Sequence, residues 1–258
     1  MKKIAINSLK VLSSVYLILA AYLYFFQHTL LYFPTQEIAH SYTQETFINQ
    51  NESIKTIVLH PKQKNAIIYF GGNEENIANT APYFDKHFPN HAVYMLNYRG
   101  YSGSSGVPTQ NGIFSDALHL YDSIQSKHNS ISTVGRSLGS GVAVYLASQK
   151  PIEKLGLITP YDSITNVAKE RYAFFPIALL IKDPFDSLSY VSKIKSEILV
   201  LLAQTDKVVK HKHANNLINA LDEQRTSVKT ISNTNHSTII TDLTTYNALK
   251  KFMEEKKN

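Results

Sequence analysis

The sequence predicts an α/β fold, a mostly parallel eight-stranded sheet with helices on both faces, and three observations lead to it. Short apolar runs of strand length alternate with longer segments of helical spacing along most of the chain. Glycine-rich turns follow several of these runs, at Gly71-Gly72, Arg99 to Gly106 and Gly135 to Gly141. The run Ile198 to Ala203 is apolar throughout, as a strand buried on both faces requires. Strands separated by helices make βαβ units with right-handed crossovers and therefore a parallel sheet.

Each element has its own signal. Thr46 to Asn49 and Ile54 to His60 alternate apolar and polar positions and read as a hairpin. Ala66 to Phe70 is a short strand, followed by a polar helix from about Asn76 to Phe88 and a strand from Ala92 to Asn97. Ile113 to Ser126 carries helical spacing through Ile113, Ala117, Leu120, Tyr121 and Ile124. Strand Ile131 to Val134 precedes helix Leu138 to Ser148, and strand Leu155 to Thr159 follows. After Ile198 to Ala203 come helix His213 to Leu221, strand Ser227 to Ile231 and a last helix, Thr238 to Glu255. Tyr161 to Ser192 breaks the alternation, being too long for one crossover helix. Its apolar residues Phe174, Phe175, Pro176, Ile177, Leu179, Leu180 and Ile181 predict core plus a lid over a pocket, in preference to a second membrane-facing patch. A contiguous exposed apolar patch is uncommon without a partner.

With 258 residues, 43% of them hydrophobic, the chain can bury one sizeable core as a single domain. A charged share of 18% argues against disorder. The formal net charge of +6 is spread over single lysines, which reads as a solvated basic surface, with attraction to an anionic membrane as the alternative. No zinc-finger, helix-turn-helix or RNA-binding signature accompanies the charge, so no nucleic-acid partner is expected. The lack of cysteine removes disulfides, thiolate nucleophiles and Cys-ligated metals, and says nothing about compartment.

Lys2, Lys3 and Lys10 precede an uncharged run from Val11 to Phe26. About twenty apolar residues span a bilayer core. The run reaches that length when Asn7 to Leu9 are counted and Lys10 snorkels. Tyr22, Tyr24 and Tyr32 fall where an aromatic belt lies. The preferred reading is an uncleaved single-pass anchor with its linker at 1–33, ahead of a body at 34–258 in which 161–192 is a lid-like insert. A cleaved signal peptide needs a small-residue site, and Ala20-Ala21 is followed at once by large aromatics. A helix packed in or lying on the soluble body is the other alternative. The leading lysines put the N-terminus in the cytoplasm, and so the body on the periplasmic or extracytoplasmic side.

Gly135-Arg136-Ser137-Leu138-Gly139 fits G-x-S-x-G. The pattern gains weight from its place between a strand and a helix, the setting of a nucleophile elbow. The turn is strained at the serine, so residues two positions away must lack bulky side chains, and Gly141 is expected to let the helix approach the sheet. An ordinary helix-capping serine is the bland alternative. A serine hydroxyl needs a base to take its proton. His236 lies in the polar loop after the last strand, at the same carboxyl edge of the sheet as Ser137, whereas His211 and His213 open a helix and read as surface residues. A solvated loop histidine is the bland reading of His236. The acid that orients the base is Asp206, just beyond the run Ile198 to Ala203; Asp162 is the serious alternative, with Asp183 and Asp186 further competitors. An oxyanion needs preorganised N–H donors. Leu138, at a helix start, supplies one. Asn73, with Gly72 next, is expected to supply the other, unless Gly71-Gly72-Asn73 is a simple turn.

These segments together resemble the α/β-hydrolase superfamily. They resemble in particular its membrane-anchored, bud-emergence-type branch, which includes palmitoyl-thioesterase-like enzymes. The resemblance is carried by Phe25-Phe26-Gln27-His28-Thr29-Leu30-Leu31-Tyr32-Phe33-Pro34, by Gly71-Gly72-Asn73-Glu74-Glu75-Asn76 and by Asn97-Tyr98-Arg99-Gly100-Tyr101-Ser102-Gly103-Ser104. The Ser137 elbow, Asp206-Lys207-Val208-Val209 and Asn235-His236 complete it. Gly71 stands where the branch has histidine before the oxyanion glycine, and Asn97 where it has aspartate.

The expected chemistry is hydrolysis of a carboxylic ester or thioester by Ser137, His236 and Asp206 through an acyl-enzyme, with no metal or organic cofactor. The expected partners are a small-molecule or lipid-like acyl substrate and, through the N-terminal helix, the membrane. A peptidase or amidase on the same fold, or a catalytically silent binding protein, are the alternatives. The anchor reading predicts that the intact chain stays with membranes through a carbonate wash; release into the supernatant contradicts it.

Overall fold

The computed structural model describes residues 2–255 apart from the side chains of Lys2 and Ala5; Met1, 256–258 and the Lys2 side chain, counted above among the leading lysines, lie outside the described residues. Backbone hydrogen bonds join β1 (Thr43–Asn49), β2 (Glu52–Leu59), β3 (Asn65–Phe70), β4 (His91–Leu96), β5 (Ser130–Arg136), β6 (Lys154–Ile158), β7 (Glu197–Ala203) and β8 (Thr226–Ile231). They form one eight-stranded sheet in the order β1-β2-β4-β3-β5-β6-β7-β8. β1 with β2 and β2 with β4 are antiparallel, and the other neighbours are parallel.

Helices cover both faces. α3 (Gln110–Ile124), α4 (Leu138–Gln149) and α7 (His211–Ala220) pack into one apolar layer, with α4 buried almost along its length. α2 (Ile77–His87) and α8 (Leu243–Glu254) pack into the other. Local chemistry sets the ends. Asn76 caps α2 by accepting the Ala78 N–H at 3.1 Å, and Thr109 caps α3 by accepting the Gly112 N–H at 3.1 Å. The last helix starts at Leu243, later than the expected Thr238. Asp242 caps it through the Thr244 N–H at 2.7 Å, and Ile239–Thr241 form a separate 3₁₀ turn.

The strand order makes the crevice. From β3 the chain crosses to β4 on one side and returns to β5 on the other, so the loops leaving β3 and β5 diverge at their carboxyl ends. Phe70 of β3 lies opposite Gly135 of β5, which puts Gly71-Gly72-Asn73 beside the Ser137 turn.

α1 (Lys2–Leu31) is one unbroken helix. Its stretch Ile6–Leu31, 26 residues of mean hydropathy 1.8, is long and apolar enough to cross a membrane. It joins the body without slack. Tyr32 is buried, its ring 4.9 Å from that of His28 and 6.5 Å from that of Phe185, and His28 Nε2 lies 2.7 Å from the Pro108 carbonyl. The insert after β6 holds α5 (Ile164–Arg171), α6 (Ile177–Leu180) and two 3₁₀ turns. Ile177 and Phe185 are buried, but Phe174 and Leu179 are 89% and 83% exposed, so part of the apolar cluster expected as core stands outside it.

One buried ion pair fastens α3 to the turn after β4. Arg99 donates through Nε and Nη2 to both oxygens of Asp116 at 2.6 and 2.9 Å, and Asn49 Nδ2 adds a bond at 2.7 Å. Asp116 is wholly inaccessible. Asp116→Ala strands the guanidinium and is expected to lower unfolding stability by about 3–5 kcal/mol, read from urea denaturation.

Candidate active site

Ser137 occupies the sharp turn between β5 and α4 with φ +48° and ψ −118°. A non-glycine residue there stores on the order of 1–3 kcal/mol of strain. Its surroundings hold it in place. The Ser137 N–H donates to the Ile158 carbonyl at 2.9 Å, and Ser140 donates to the Ser137 carbonyl through N–H at 2.9 Å and Oγ at 2.6 Å. A Cβ on Gly139 would lie 2.1 Å from the Phe70 carbonyl oxygen, and one on Gly135 would lie 2.2 Å from that of Gly139. The turn therefore closes only with glycine at both places. Gly141 differs from its expected role: a Cβ there would meet the Tyr161 hydroxyl at 2.3 Å, so it admits the segment after β6 rather than the sheet.

His236 and Asp206 reach the same point from the ends of β8 and β7. His236 Nε2 lies 2.9 Å from Ser137 Oγ, and Nδ1 lies 2.8 Å from Asp206 Oδ2. Asp206 Oδ1 accepts the Val208 and Val209 N–H groups, each at 2.9 Å, which fixes the carboxylate within its own turn. Thr205 donates to the Thr234 carbonyl through N–H and Oγ1, both at 3.0 Å, and ties the two loops together. Ser137 and His236 are 8% and 9% exposed, sheltered but open to a small reactant.

Asp162 lies elsewhere. Its carboxylate is fully buried and accepts Asn166 Nδ2 and Asn216 Nδ2 at 2.9 Å, with His213 Nδ1 at 3.1 Å. His213 Nε2 lies 2.9 Å from Glu170 Oε2. The expectation that His213 is a surface residue is thus corrected: it is buried between carboxylates and joins α7 to the insert. Hydrogen bonds from Lys210, Lys212 and His213 hold Glu170 down to about 2. His211 Nε2 lies 2.7 Å from the Ala203 carbonyl and is half-buried.

The loop after β3 depends on a pair that sequence reasoning passed over. Glu75 accepts the Gly72 N–H at 2.9 Å, Arg136 Nη1 at 2.8 Å, the Tyr69 hydroxyl at 2.7 Å and the Thr80 hydroxyl at 2.6 Å. Arg136 Nη2 donates to the His236 carbonyl at 3.0 Å. Burial works to raise the Glu75 carboxyl, but the Arg136 charge and these donors outweigh it and hold it below the usual carboxylate range. Asn73 is fixed from outside the sheet. Its carbonyl accepts the Tyr101 hydroxyl at 2.8 Å and the Phe33 N–H at 3.2 Å, and its Nδ2 donates to the Leu31 carbonyl at 2.9 Å. Tyr98 donates to the Gly71 carbonyl at 2.7 Å. The available signal was positional: Arg136 is a variable position of G-x-S-x-G, and Glu75 follows the glycine pair.

A cleft of about 520 Å³ opens beside Ser137, within the range of small-molecule sites. Leu138 and Asn73 line its floor, Leu23, Leu30 and Leu31 of α1 one wall, and Ile164, Ile177 and Leu180 of the insert another.

No family model matches the chain. Lysophosphatidylserine lipase ABHD12 of Bos taurus is 32% identical over 137 residues, covering 45% of this chain and 34% of the lipase. The α/β-hydrolase domain-containing protein WAV2 of Arabidopsis thaliana is 28% identical over 136 residues, covering 45% of this chain and 44% of its own. The matched segment spans less than half the length of each of these relatives. Among solved structures, the Pyrococcus furiosus esterase Pf2001 shares the fold, with a TM-score of 0.68 over 86% of this chain and 98% of the esterase at 15% identity. With this strand order and this structural likeness, the chain has the α/β-hydrolase fold, and over less than half of its length it is similar to ABHD12 and WAV2.

Proposed function

We propose that the chain is a serine hydrolase that cleaves carboxylic ester or thioester bonds through an acyl-enzyme. The observation that supports it most is the continuous line from Ser137 Oγ through the His236 ring to Asp206, with steps of 2.9 and 2.8 Å. In this reading Ser137 Oγ attacks the acyl carbonyl while His236 Nε2 takes its proton. Asp206 holds Nδ1–H, fixes the tautomer and stabilises the imidazolium. The oxyanion is bound by the N–H groups of Leu138, at the positive end of α4, and Asn73. Asn73 is preferred to Gly72 because the Gly72 N–H is committed to Glu75. His236 then protonates the leaving alkoxide or thiolate and activates the water that hydrolyses the acyl-enzyme.

The apolar walls of the cleft favour a lipid-like acyl substrate, and the lipase name of the bovine relative points the same way. In the same proposal residues 1–33 anchor the chain in a membrane by a single pass, and 34–258, with 161–192 as the lid-like insert, form the catalytic body on the extracytoplasmic side.

A fluorophosphonate probe is expected to label the natural chain and to leave Ser137→Ala unlabelled; equal labelling of both overturns the assignment of the nucleophile. Asp206→Asn is expected to lower kcat on p-nitrophenyl esters by on the order of 10⁴-fold. Across such esters kcat/KM is expected to rise from acetyl to longer chains, and a preference for the shortest chain contradicts a lipid-like substrate. Glu75 yields a pH prediction. Its folded-state carboxyl is held below its unfolded value, so its stabilisation is complete above the ordinary glutamate range and is lost as pH falls through the depressed value. Melting curves of the natural chain and Glu75→Gln should therefore differ most near neutral pH and converge on acidification.

A further inference from the structure

Two polar side chains of α1 are turned toward the insert. Tyr16 and Gln27 are eleven positions apart, roughly three turns at about 3.6 residues per turn, and so share one face of the helix. The Tyr16 hydroxyl donates to the Phe174 carbonyl at 3.0 Å, and its ring stacks on Phe175 at 5.1 Å. Gln27 donates through Nε2 to the Leu180 carbonyl at 2.9 Å and accepts the Lys182 N–H through Oε1 at 2.7 Å. Ala20 and Leu23, between them, are half-buried where most of α1 is exposed. The tip also satisfies itself: the Phe175 N–H donates to the Tyr172 carbonyl at 3.0 Å and the Ile181 N–H to the Ile177 carbonyl at 3.0 Å. Irregular backbone persists at membrane depth only where protein groups take up its polar atoms, and these bonds take up part of those of the tip.

Depth follows from the helix. Tyr16 lies about 15 Å from the Ile6 end of the apolar stretch and about 22 Å from the Leu31 end, at roughly 1.5 Å per residue. A hydrocarbon core of about 30 Å placed anywhere within that stretch includes the level of Tyr16. Phe174 and Phe175 touch α1 at that level. The exposed residues of the tip, Ala173, Phe174, Pro176, Ala178 and Leu179, are all apolar, and Phe174 and Leu179 are the large ones. The cleft that ends at Ser137 runs between the same two walls, with Leu23 and Leu30 on one side and Ile177 and Leu180 on the other.

We propose that the insert tip, residues 172–181, enters the bilayer beside α1, and that the cleft between them takes the acyl chain of a membrane-resident ester or thioester directly from the hydrocarbon. The first half rests on the anchor reading of α1 together with the contacts between α1 and the tip; the second rests also on the hydrolase reading of Ser137. The reactive carbonyl would come to Ser137 with its chain still lying between α1 and the insert, and its polar leaving group toward water.

The chain has no tryptophan. Phe174→Trp in the full chain, reconstituted in phosphatidylcholine vesicles, is therefore a unique reporter. Its emission is expected to be blue-shifted and quenched about twofold or more by acyl-brominated lipid, and insensitive to aqueous iodide. A water-like emission quenched by iodide and not by brominated lipid overturns the membrane-dipping tip. For the route, Phe174→Asp combined with Leu179→Asp is expected to slow hydrolysis of a long-chain monoacyl ester held in vesicles by about tenfold or more. Hydrolysis of soluble p-nitrophenyl butyrate and fluorophosphonate labelling are expected to stay within about twofold, since both side chains lie outside the catalytic machinery. Equal rates on the vesicle substrate before and after substitution, or equal losses on both substrates, overturn the route. Bromolipid quenching without any fluorophosphonate labelling of the natural chain removes the hydrolase reading and leaves the tip in the bilayer.

Discussion

The site depends on the contact between Glu75 and Arg136. Three loops have to meet at the carboxyl edge of the sheet, and they leave β3, β5 and β8 with no covalent tie among them. The pair supplies the tie. Glu75 holds the Gly72 N–H, Arg136 is the residue before Ser137, and the far nitrogen of Arg136 holds the His236 carbonyl. A buried ion pair is poor evidence of net stability, because desolvation offsets much of the attraction. Its value here is positional. With four donors on the carboxylate, its low-energy arrangement is narrow, and that arrangement places the loop after β3, the Ser137 turn and the His236 loop in register.

The loop after β3 keeps its place despite two departures from the pattern of the branch this chain resembles. Where the branch has histidine before the oxyanion glycine, this chain has Gly71, and where it has aspartate after β4, this chain has Asn97. The loop is nonetheless held on several sides. Tyr98 takes the Gly71 carbonyl, Tyr101 and Phe33 take the Asn73 carbonyl, and Leu31 receives the Asn73 amide. Part of that support comes from the exit of α1, so the segment that reads as an anchor also braces the crevice.

Much of the architecture was legible because period and punctuation agree in this chain. Each expected strand has its counterpart, and the Ile198 to Ala203 run is the interior strand β7. The positions of Ser137, Asp206 and His236 followed from topology, since each ends or follows a strand at one edge of the sheet. What was not legible is pairing across sequence distance. Glu75 and Arg136 are 61 positions apart, and nothing in either neighbourhood announces the other. His213 was misread for the same reason. In sequence it is one of two histidines at a helix start among lysines, and only Asp162 and Glu170, brought in by the insert, make burial tolerable. Gly141 carries a related lesson. A glycine in a helix signals a close approach, but not which element approaches, and here it is Tyr161.

The junction of α1 with the body bears on where such an enzyme could work. A flexible tether would give a catalytic centre reach, letting it sample neighbouring vesicles or soluble carriers. Here Tyr32 is buried one residue after the helix ends, and His28 is already pinned to the Pro108 carbonyl. Reach is exchanged for a constant stand-off and a constant azimuth, so with α1 spanning a bilayer the crevice would serve only the membrane that holds the chain, and its encounters would follow lateral diffusion in that plane.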